Sequence, residues 1–162
     1  MAEYRLRTSL FVARDLETAF ALFATAENLQ QLTPPWLRFR ILTPLPIEMR
    51  RGTVIDYRIW FRGIPIPWRT EIVDWDPPHR FLDRQLRGPY VSWDHAHTFT
   101  AVDGGTLVED RVRYQPFGGR WAHRFGVRHD LERIFEFRQH AILKALGVEA
   151  RDPISVTIER KL

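Results

Sequence analysis

Two histidines and an aspartate occupy neighbouring stretches of this sequence at a spacing that could support proton transfer. Residues 90–114 have the pattern of two alternating strands joined at Asp103-Gly104-Gly105, a tripeptide typical of hairpin turns. Because side chains alternate along a strand, His95 and His97 share one face of the first strand with apolar residues, and Asp110 interrupts the apolar row of the second. A carboxylate beside imidazoles is a common arrangement for general acid–base catalysis.

The length of the hairpin loop decides which residue faces Asp110. A two-residue loop at Asp103-Gly104 places His97 opposite Asp110, with Cβ atoms roughly 4.5 to 5.5 Å apart. A loop at Gly104-Gly105 places Phe99 there instead. Either register keeps the carboxylate on the histidine face, so we expect Asp110 to accept a hydrogen bond from one of the imidazoles.

The same group also has a structural interpretation, which we favour over catalysis. Buried polar groups need hydrogen-bond partners whatever their function, and a His/Asp pair meets that need by itself. Two histidines at i and i+2 on a strand can also begin a metal site, but a metal needs three or four ligands. The other histidines lie in a turn and along the last helix, without matching spacing, so we expect no metal and no cofactor: His79, His123, His129 and His140.

Composition limits the class of protein. At 162 residues the chain fits one domain, and the absence of cysteine excludes disulfides and cysteine-based metal sites. Neither a signal peptide nor an apolar run of membrane-spanning length is present, so we expect a cytoplasmic protein without membrane insertion. Of 24 basic residues only Lys144 and Lys161 are lysines, and the arginines are dispersed from Arg5 to Arg160. Surfaces that bind nucleic acid cluster their charge on one face, so we expect no nucleic-acid partner.

The remaining pattern predicts the elements that position these residues. Residues 4–12 alternate as a strand, Asp15 can cap a short helix, and a second helical piece at about 26–32 ends before Pro34. A helix of about 25 residues, close to 38 Å long, ends at Gly147. Connections too short for parallel crossovers separate further antiparallel strands at about 37–42, 53–62, 66–75 and 80–86. We expect an α+β fold: a curved antiparallel sheet of about seven strands, wrapped around the long C-terminal helix, with two short helices after the first strand.

This order of elements resembles the SRPBCC superfamily, whose helix-grip fold is shared by START domains and the birch-pollen allergen group. The resemblance covers residues 1–147 and leaves 148–162 as a separate tail. Several short motifs are similar to a bacterial polyketide cyclase/dehydrase-like branch: Glu27-Asn28-Leu29, Leu32-Thr33-Pro34-Pro35-Trp36-Leu37, Gly63-Ile64-Pro65 with Trp68, Asp76-Pro77-Pro78 with Phe81, Gly88-Pro89-Tyr90, Trp93 with His95 and His97, Asp103-Gly104-Gly105-Thr106, and Pro116-Phe117-Gly118. The resemblance implies a deep, mostly apolar cavity for a lipid-like, aromatic or polyketide-like ligand. It implies no reaction, because the superfamily includes carriers, sensors and enzymes.

The alternating rows predict which side chains line such a cavity. Asp83 and Gln85 are candidates whose direction stays open, because the loop at Gly88-Pro89 does not determine their register. Arg138 lies beside the buried stripe of the long helix, where it can pair with an aspartate or bind a ligand carboxylate. The other candidates share the apolar faces of strands or helix: Tyr57, Ile59, Trp68, Ile72, Trp93, Val108, Val112, Tyr114, Leu131, Phe135 and Ile142.

Three functions fit these observations. The leading one is binding of a small hydrophobic or aromatic molecule between the sheet and the last helix. The second is a cyclase or dehydratase that uses His95, His97 and Asp110 for acid–base chemistry. The third is a non-catalytic protein-interaction module that acts through its arginine-bearing surface.

The tail carries its own pattern. Residues 154–159 alternate three β-branched apolar residues with polar ones, which predicts a strand. Such a strand pairs either with an edge of its own sheet or with a neighbouring copy, which gives a homodimer. We slightly favour the neighbouring copy, because the domain is complete by Gly147.

Overall fold

An eight-stranded antiparallel sheet is the framework of the protein in the computed structural model, which describes residues 2–161. Its order is β2-β3-β4-β5-β6-β7-β1-β8. The α+β class and the antiparallel meander are therefore confirmed, and the strand beyond the expected seven comes from the tail. In chain order the strands are β1 (Tyr4–Val12), β2 (Arg40–Ile41), β3 (Val54–Phe61), β4 (Ile64–Asp76), β5 (Arg80–Arg87), β6 (Tyr90–Val102), β7 (Gly105–Pro116) and β8 (Thr157–Arg160).

Short helices follow the first strand, and a long helix follows the meander, as expected. The Asp15 carboxylate caps the first helix by accepting the backbone N–H of Thr18 at 2.9 Å. Gly147, at φ 63°, ends the last helix in the left-handed conformation that glycine adopts without steric cost. The helices are α1 (Leu16–Ala24), α2 (Leu29–Leu32), α3 (Gly119–Ala122) and α4 (Arg128–Leu146), with 3-10 turns at Ala26–Asn28 and Pro35–Leu37 and a π-helical segment, His123–Val127, between α3 and α4.

The strand expected at 37–42 is much shorter than its pattern suggested. Pro35 begins the 3-10 turn that ends at Leu37, and Arg38 has φ 44°, which is incompatible with an extended strand. Only Arg40 and Ile41 pair with β3. The proline-rich segment therefore uses these residues to turn the chain from α2 into the sheet.

The β6–β7 hairpin has the two-residue loop at Asp103-Gly104. Val102 pairs with Gly105 and His97 with Asp110, which confirms the first of the two registers considered above. The inner face of the sheet is mostly apolar, with Ile55, Ile59 and Ile72 buried, whereas Arg58 and Arg69 of the same strands are exposed, as is Arg113 of β7. The predicted inside and outside of the sheet are therefore confirmed.

The tail strand β8 lies at the edge of the chain's own sheet. It pairs antiparallel with β1, with Ile158 opposite Leu6, and both side chains are buried. The Gln139 side chain also donates to the Ser155 carbonyl at 3.2 Å. The preference for pairing with a neighbouring copy is thus corrected, because Ile158 finds apolar partners within the chain; the homodimer stays a prediction that this strand no longer motivates.

Across residues 2–161, no helix is long and apolar enough to cross a membrane.

Candidate functional site

A cavity of about 420 Å³ lies between the inner face of β3–β6 and helix α4, and α2 contributes to its wall. This volume falls within the range of roughly 300 to 1,000 Å³ that is usual for small-molecule sites. Aromatic and branched aliphatic side chains form most of the wall, among them Phe23, Leu32, Ile55, Ile59, Trp68, Ile72, Phe81, Trp93, Leu131 and Phe135. The polar side chains on the wall include Tyr57, Asp83, Tyr90, His95, His97 and Arg138.

Asp110 lies on the side of the polar cluster that faces away from the cavity. Its Oδ1 accepts the Nε2–H of His95 at 2.8 Å and lies 3.1 Å from Nδ1 of His97. Its Oδ2 accepts Nε–H of Arg138 at 2.9 Å and the hydroxyl of Thr8 at 3.4 Å. Asp110 is only 2% exposed, so this carboxylate is surrounded by donors and shielded from water. The expected hydrogen bond between Asp110 and a histidine is therefore present.

Asp83 lies on the opposite, cavity side of the two imidazoles. Its Oδ2 is 2.7 Å from Nε2 of His97 and 3.9 Å from Nδ1 of His95. The two imidazole rings lie 3.8 Å apart between their centroids. Each histidine therefore has one ring nitrogen near Asp110 and the other directed toward Asp83.

Strand register explains how the sequence assembles this cluster. His95 of β6 pairs with Asp83 of β5, and His97 pairs with Asp110 of β7, so both carboxylates come from cross-strand neighbours. Helix α4 places Arg138 against the same cluster, three residues after Phe135 on its buried stripe. The cluster is thus built from three adjacent strands and the helix that crosses them.

Aromatic rings hold the cluster in position. Phe81 stacks on the His97 ring at 4.0 Å between centroids, with an interplanar angle of 14°. The guanidinium of Arg138 lies over the Phe23 ring at 5.2 Å. Both contacts restrict rotation of polar side chains that would otherwise be mobile in a cavity.

Burial and neighbouring charges shift the pKa values of the four ionisable groups in the cluster in different directions. Burial tends to raise the pKa of Asp110, but the charge of Arg138 and the histidine contacts hold it well below its ordinary value. Asp83 is likewise held below its ordinary pKa against the effect of burial, first by the hydrogen bond from His97. Burial lowers the pKa of His95, whereas hydrogen bonds to Asp110 and Asp83 overcome burial and raise the pKa of His97.

Most of the predicted site residues line the cavity. Asp110 does not form part of the wall, since the two imidazoles separate it from the cavity. The predicted residues that do line the wall are Tyr57, Ile59, Trp68, Ile72, Asp83, Trp93, His95, His97, Leu131, Phe135 and Arg138.

Five predicted ligand-binding residues lie elsewhere, and their placement corrects the sequence expectation. Val108 and Ile142 pack with α1 in the core, and Val112 and Tyr114 pack with β1 residues. Tyr114 also has its hydroxyl 2.9 Å from Nε2 of His123. Gln85 turns back on its own hairpin, where its side chain donates to the carbonyl of Tyr90 at 2.8 Å.

Sequence reasoning missed part of the wall and one partner in the cluster. Phe81 lines the cavity although the sequence pattern does not indicate it, and Asp83 is the partner of His97, a pairing that the pattern does not predict. Both alternate with Leu82 and face the same side as the histidines once the β5–β6 register is known. The signal was present, but the register needed to interpret it was not.

The chain belongs to the family described as polyketide cyclase / dehydrase and lipid transport, whose model matches residues 12–136. With the helix-grip architecture, this match confirms membership of the SRPBCC superfamily. No curated protein sequence matches the chain.

Solved structures share the fold at low sequence identity. Protein Ms6760 from Mycobacterium smegmatis is 19% identical, with a TM-score of 0.62 over 88% of both chains. Major latex-like protein 151 from Panax ginseng is 13% identical, with a TM-score of 0.62 over 88% of this chain and 97% of that one. The di-domain ARO/CYC protein StfQ from the steffimycin biosynthetic pathway is 17% identical, with a TM-score of 0.65 over 90% of this chain and 50% of that one. At these identities the likeness shows the fold alone.

Proposed function

We propose that the protein binds a small hydrophobic or aromatic molecule in the cavity between the sheet and α4. The observation that carries the proposal is a cavity of about 420 Å³ whose wall is mostly apolar, with Asp83, His95 and His97 grouped in one polar cluster. Burial of apolar ligand surface against such a wall is favourable, at roughly 25 cal/mol per Å². The single cluster would orient one polar end of the ligand.

The aromatic wall favours a planar ligand. Trp68 and Trp93 pack edge to face at 5.5 Å between ring centroids, and Tyr57 stacks on Trp68 at 5.6 Å. These rings line the cavity without filling it, so flat apolar surfaces are available to an aromatic guest. An oxygen on the ligand could then reach His95 or Asp83 at the polar end.

Native mass spectrometry of the purified protein tests this proposal directly, since a copurified molecule adds its mass to the chain. The variant Ile59→Trp places a bulky indole ring on the buried face of β3, where it would occupy space in the cavity, and should abolish the adduct. Val54→Trp makes a comparable change on the exposed face of the same strand and should preserve it. An adduct that survives Ile59→Trp in a folded protein would place the ligand outside the cavity.

A second candidate is acid–base catalysis on a bound carbonyl compound, of the kind that cyclases and dehydratases perform. It is favoured by two adjacent imidazoles whose pKa values are shifted in opposite directions. Neutral His95 could remove a proton from the carbon next to the carbonyl group while protonated His97 donates one to the carbonyl oxygen, which yields the enol. The structural role of the cluster is the competing interpretation.

Proton exchange distinguishes catalysis from binding alone. An aryl methyl ketone in D₂O should lose its methyl proton signal faster with the protein than without it. His95→Gln should reduce that exchange about 100-fold or more, since general acid–base groups contribute roughly that much. His129→Gln, at an exposed histidine of α4, is the control that should leave it unchanged. Equal exchange rates with and without the native protein would argue against this activity.

A further inference from the structure

Both imidazoles of the polar cluster direct one ring nitrogen to Asp110 and the other toward Asp83. Asp110 Oδ1 lies 2.8 Å from Nε2 of His95 and 3.1 Å from Nδ1 of His97, so one oxygen contacts both rings. One ring nitrogen of each histidine and an oxygen of Asp83 lie within 4.8 Å of one another. The nitrogens directed toward Asp83 are Nδ1 of His95, at 3.9 Å, and Nε2 of His97, at 2.7 Å. Three potential ligand atoms therefore converge on one point beside the cavity.

The hydrogen-bonding pattern around Asp110 gives Nδ1 of His95 a lone pair. Asp110 is fixed by two bonds from Arg138, at 2.9 and 3.3 Å, and an ionised carboxylate can only accept. Nε2 of His95, at 2.8 Å, must then carry a hydrogen, whereas Nδ1 of His97 lies 3.1 Å from Asp110 Oδ1 and 3.3 Å from the donor Nη2 of Arg138. A neutral imidazole has one N–H, so its other nitrogen carries a lone pair. Nε2 of His97 lies 2.7 Å from an oxygen of Asp83, a contact in which either an N–H of His97 or a bound cation lies between the two atoms.

We propose that Asp83, His95 and His97 bind one divalent transition-metal ion, with zinc the best match. Zinc takes imidazole nitrogens and carboxylate oxygens at about 2.0 to 2.2 Å in tetrahedral geometry, which separates the donor atoms by about 3.4 Å. The Asp83 oxygen lies 2.7 and 3.9 Å from the two nitrogens, on either side of that separation. Shifts of about half an ångström would bring the donor atoms to this separation.

The surroundings match those of a metal site. Metal-binding histidines usually donate their second N–H to a carboxylate, which fixes the tautomer and orients the ring. Asp110 Oδ1 is placed for this role, since it accepts from Nε2 of His95 at 2.8 Å and lies 3.1 Å from Nδ1 of His97. Arg138 and Thr8 in turn hold Asp110. Three protein ligands leave a fourth position, and the lining position of all three residues directs it toward the cavity. Zinc sites with an open position are those that polarise a substrate or a water molecule.

The ion would occupy the place of the proton that His97 carries in the acid–base candidate, so the two are alternatives at the same atoms. Metal binding does not depend on the proposed ligand, since all three donors and their supporting carboxylate belong to the chain. Failure of metal binding would leave the ligand-binding proposal intact, and failure of ligand binding would leave the metal site intact.

The experiment titrates chelator-treated protein with Zn²⁺ by calorimetry and with Co²⁺ by visible absorption. We expect one ion per chain, a dissociation constant of about 1 μM or tighter, and an absorption band typical of tetrahedral cobalt. Asp83→Asn and His97→Gln should weaken binding at least about 100-fold, and Asp110→Asn about 10- to 100-fold through loss of the supporting carboxylate. His129→Gln and His140→Gln, both at exposed histidines, should have no effect.

A measurement on the native protein keeps the test independent of how the variants fold. Nitrogen NMR of the histidine side chains should show Zn²⁺ shifting Nδ1 of His95 and Nε2 of His97, while the nitrogens next to Asp110 keep their protons. The proposal is overturned if no zinc binds at millimolar concentration. It is equally overturned if binding is stoichiometric but the shifts occur at exposed histidines, or if both signals stay unchanged.

Discussion

Asp110→Asn is the substitution that most directly probes the polar cluster. The change keeps the size of the side chain but removes its charge and replaces one acceptor oxygen with a donor. Asp110 is 2% exposed and receives hydrogen bonds from His95, Thr8 and, twice, Arg138. Since Arg138 is itself only 7% exposed, the variant leaves a buried cation without its partner.

The expected magnitude follows from that burial. Removing one member of a buried ion pair destabilises a protein by about 3 to 5 kcal/mol, because the remaining charge stays desolvated. For a domain of this size, 1 kcal/mol shifts the melting temperature by about 2 to 4 °C. We therefore expect the melting temperature of Asp110→Asn to fall by about 10 °C, with a matching loss in the free energy of unfolding.

Asp56→Asn is a matched control, since Asp56 forms the same two-point pair with Arg69 at 2.7 and 3.0 Å. That pair lies on the outer face, where the two side chains are 39% and 53% exposed. Exposed pairs contribute at most about 1 kcal/mol, so the control should lose no more than that in urea unfolding.

Arg138→Met completes the test of the buried pair. It removes the other partner, and the double variant should be more stable than the sum of the two single losses predicts, since no unpaired arginine remains. If Asp110→Asn costs less than about 1 kcal/mol, or the same as Asp56→Asn, burial does not dominate the energetics of this cluster and the reasoning is wrong.

Three further predictions concern pH, the tail and the core. Asp83 and Asp110 have lower pKa values in the folded protein than the value of about 3.9 for an unfolded aspartate, so their ionisation stabilises the metal-free protein above that pH. This stabilisation is lost as pH falls from about 3.9 through the folded pKa values. Below about 6.5 the lowered pKa of His95 adds to the loss, whereas the stabilisation from the raised pKa of His97 is already complete there, because it is gained as pH falls from the folded pKa to the unfolded one. Urea unfolding between pH 7 and 3 should show a smaller loss in Asp110→Asn. Ile158→Asp should lower the melting temperature without changing the mass in light scattering, because β8 pairs within the chain. Tyr114→Phe should cost about 1 kcal/mol in urea unfolding through the lost contact with His123, and no loss would contradict that contact.

The sequence was most informative where local chemistry restricts register. Asp103-Gly104-Gly105 predicted the hairpin and left two registers, one of which pairs His97 with Asp110 as observed, and both put Asp110 on the histidine face. Period-two alternation also separated the buried face of β3 from the exposed one. These features need only neighbouring residues, which a single sequence contains.

The direction of Asp83 could not be predicted for a physical reason. Pairing between β5 and β6 reaches only as far as Arg84 opposite Asp94, and the chain between those residues forms a wide connection. The Gln85 side chain bonds both backbone groups of Tyr90 across this connection, so it is directed there rather than into the cavity. A turn motif at Gly88-Pro89 contains no information about pairing that begins several residues away.

Tertiary packing accounts for the residues that were wrongly placed on the cavity wall. Val108 lies on the same inner face of the sheet as Ile72, but α1 contributes Phe20 and Phe23 to the core over that end of β7. Alternation shows which face a side chain occupies, whereas the helix that covers the face decides whether an empty volume remains beside it. Whether such a volume remains depends on contacts between residues about 90 positions apart, which no local pattern encodes.

The polar cluster also shows why an antiparallel sheet suits such a site. Adjacent strands lie about 4.8 Å apart, so one side chain from each of β5, β6 and β7 falls into a row of nearly regular spacing. On β6, His95 pairs with Asp83 of β5 and His97, two residues further on, pairs with Asp110 of β7. A register slip of one residue would turn a whole strand's contribution outward, so the cluster exists only where the alternation of three strands agrees. The apolar packing that fixes register therefore also fixes the chemistry of the cavity.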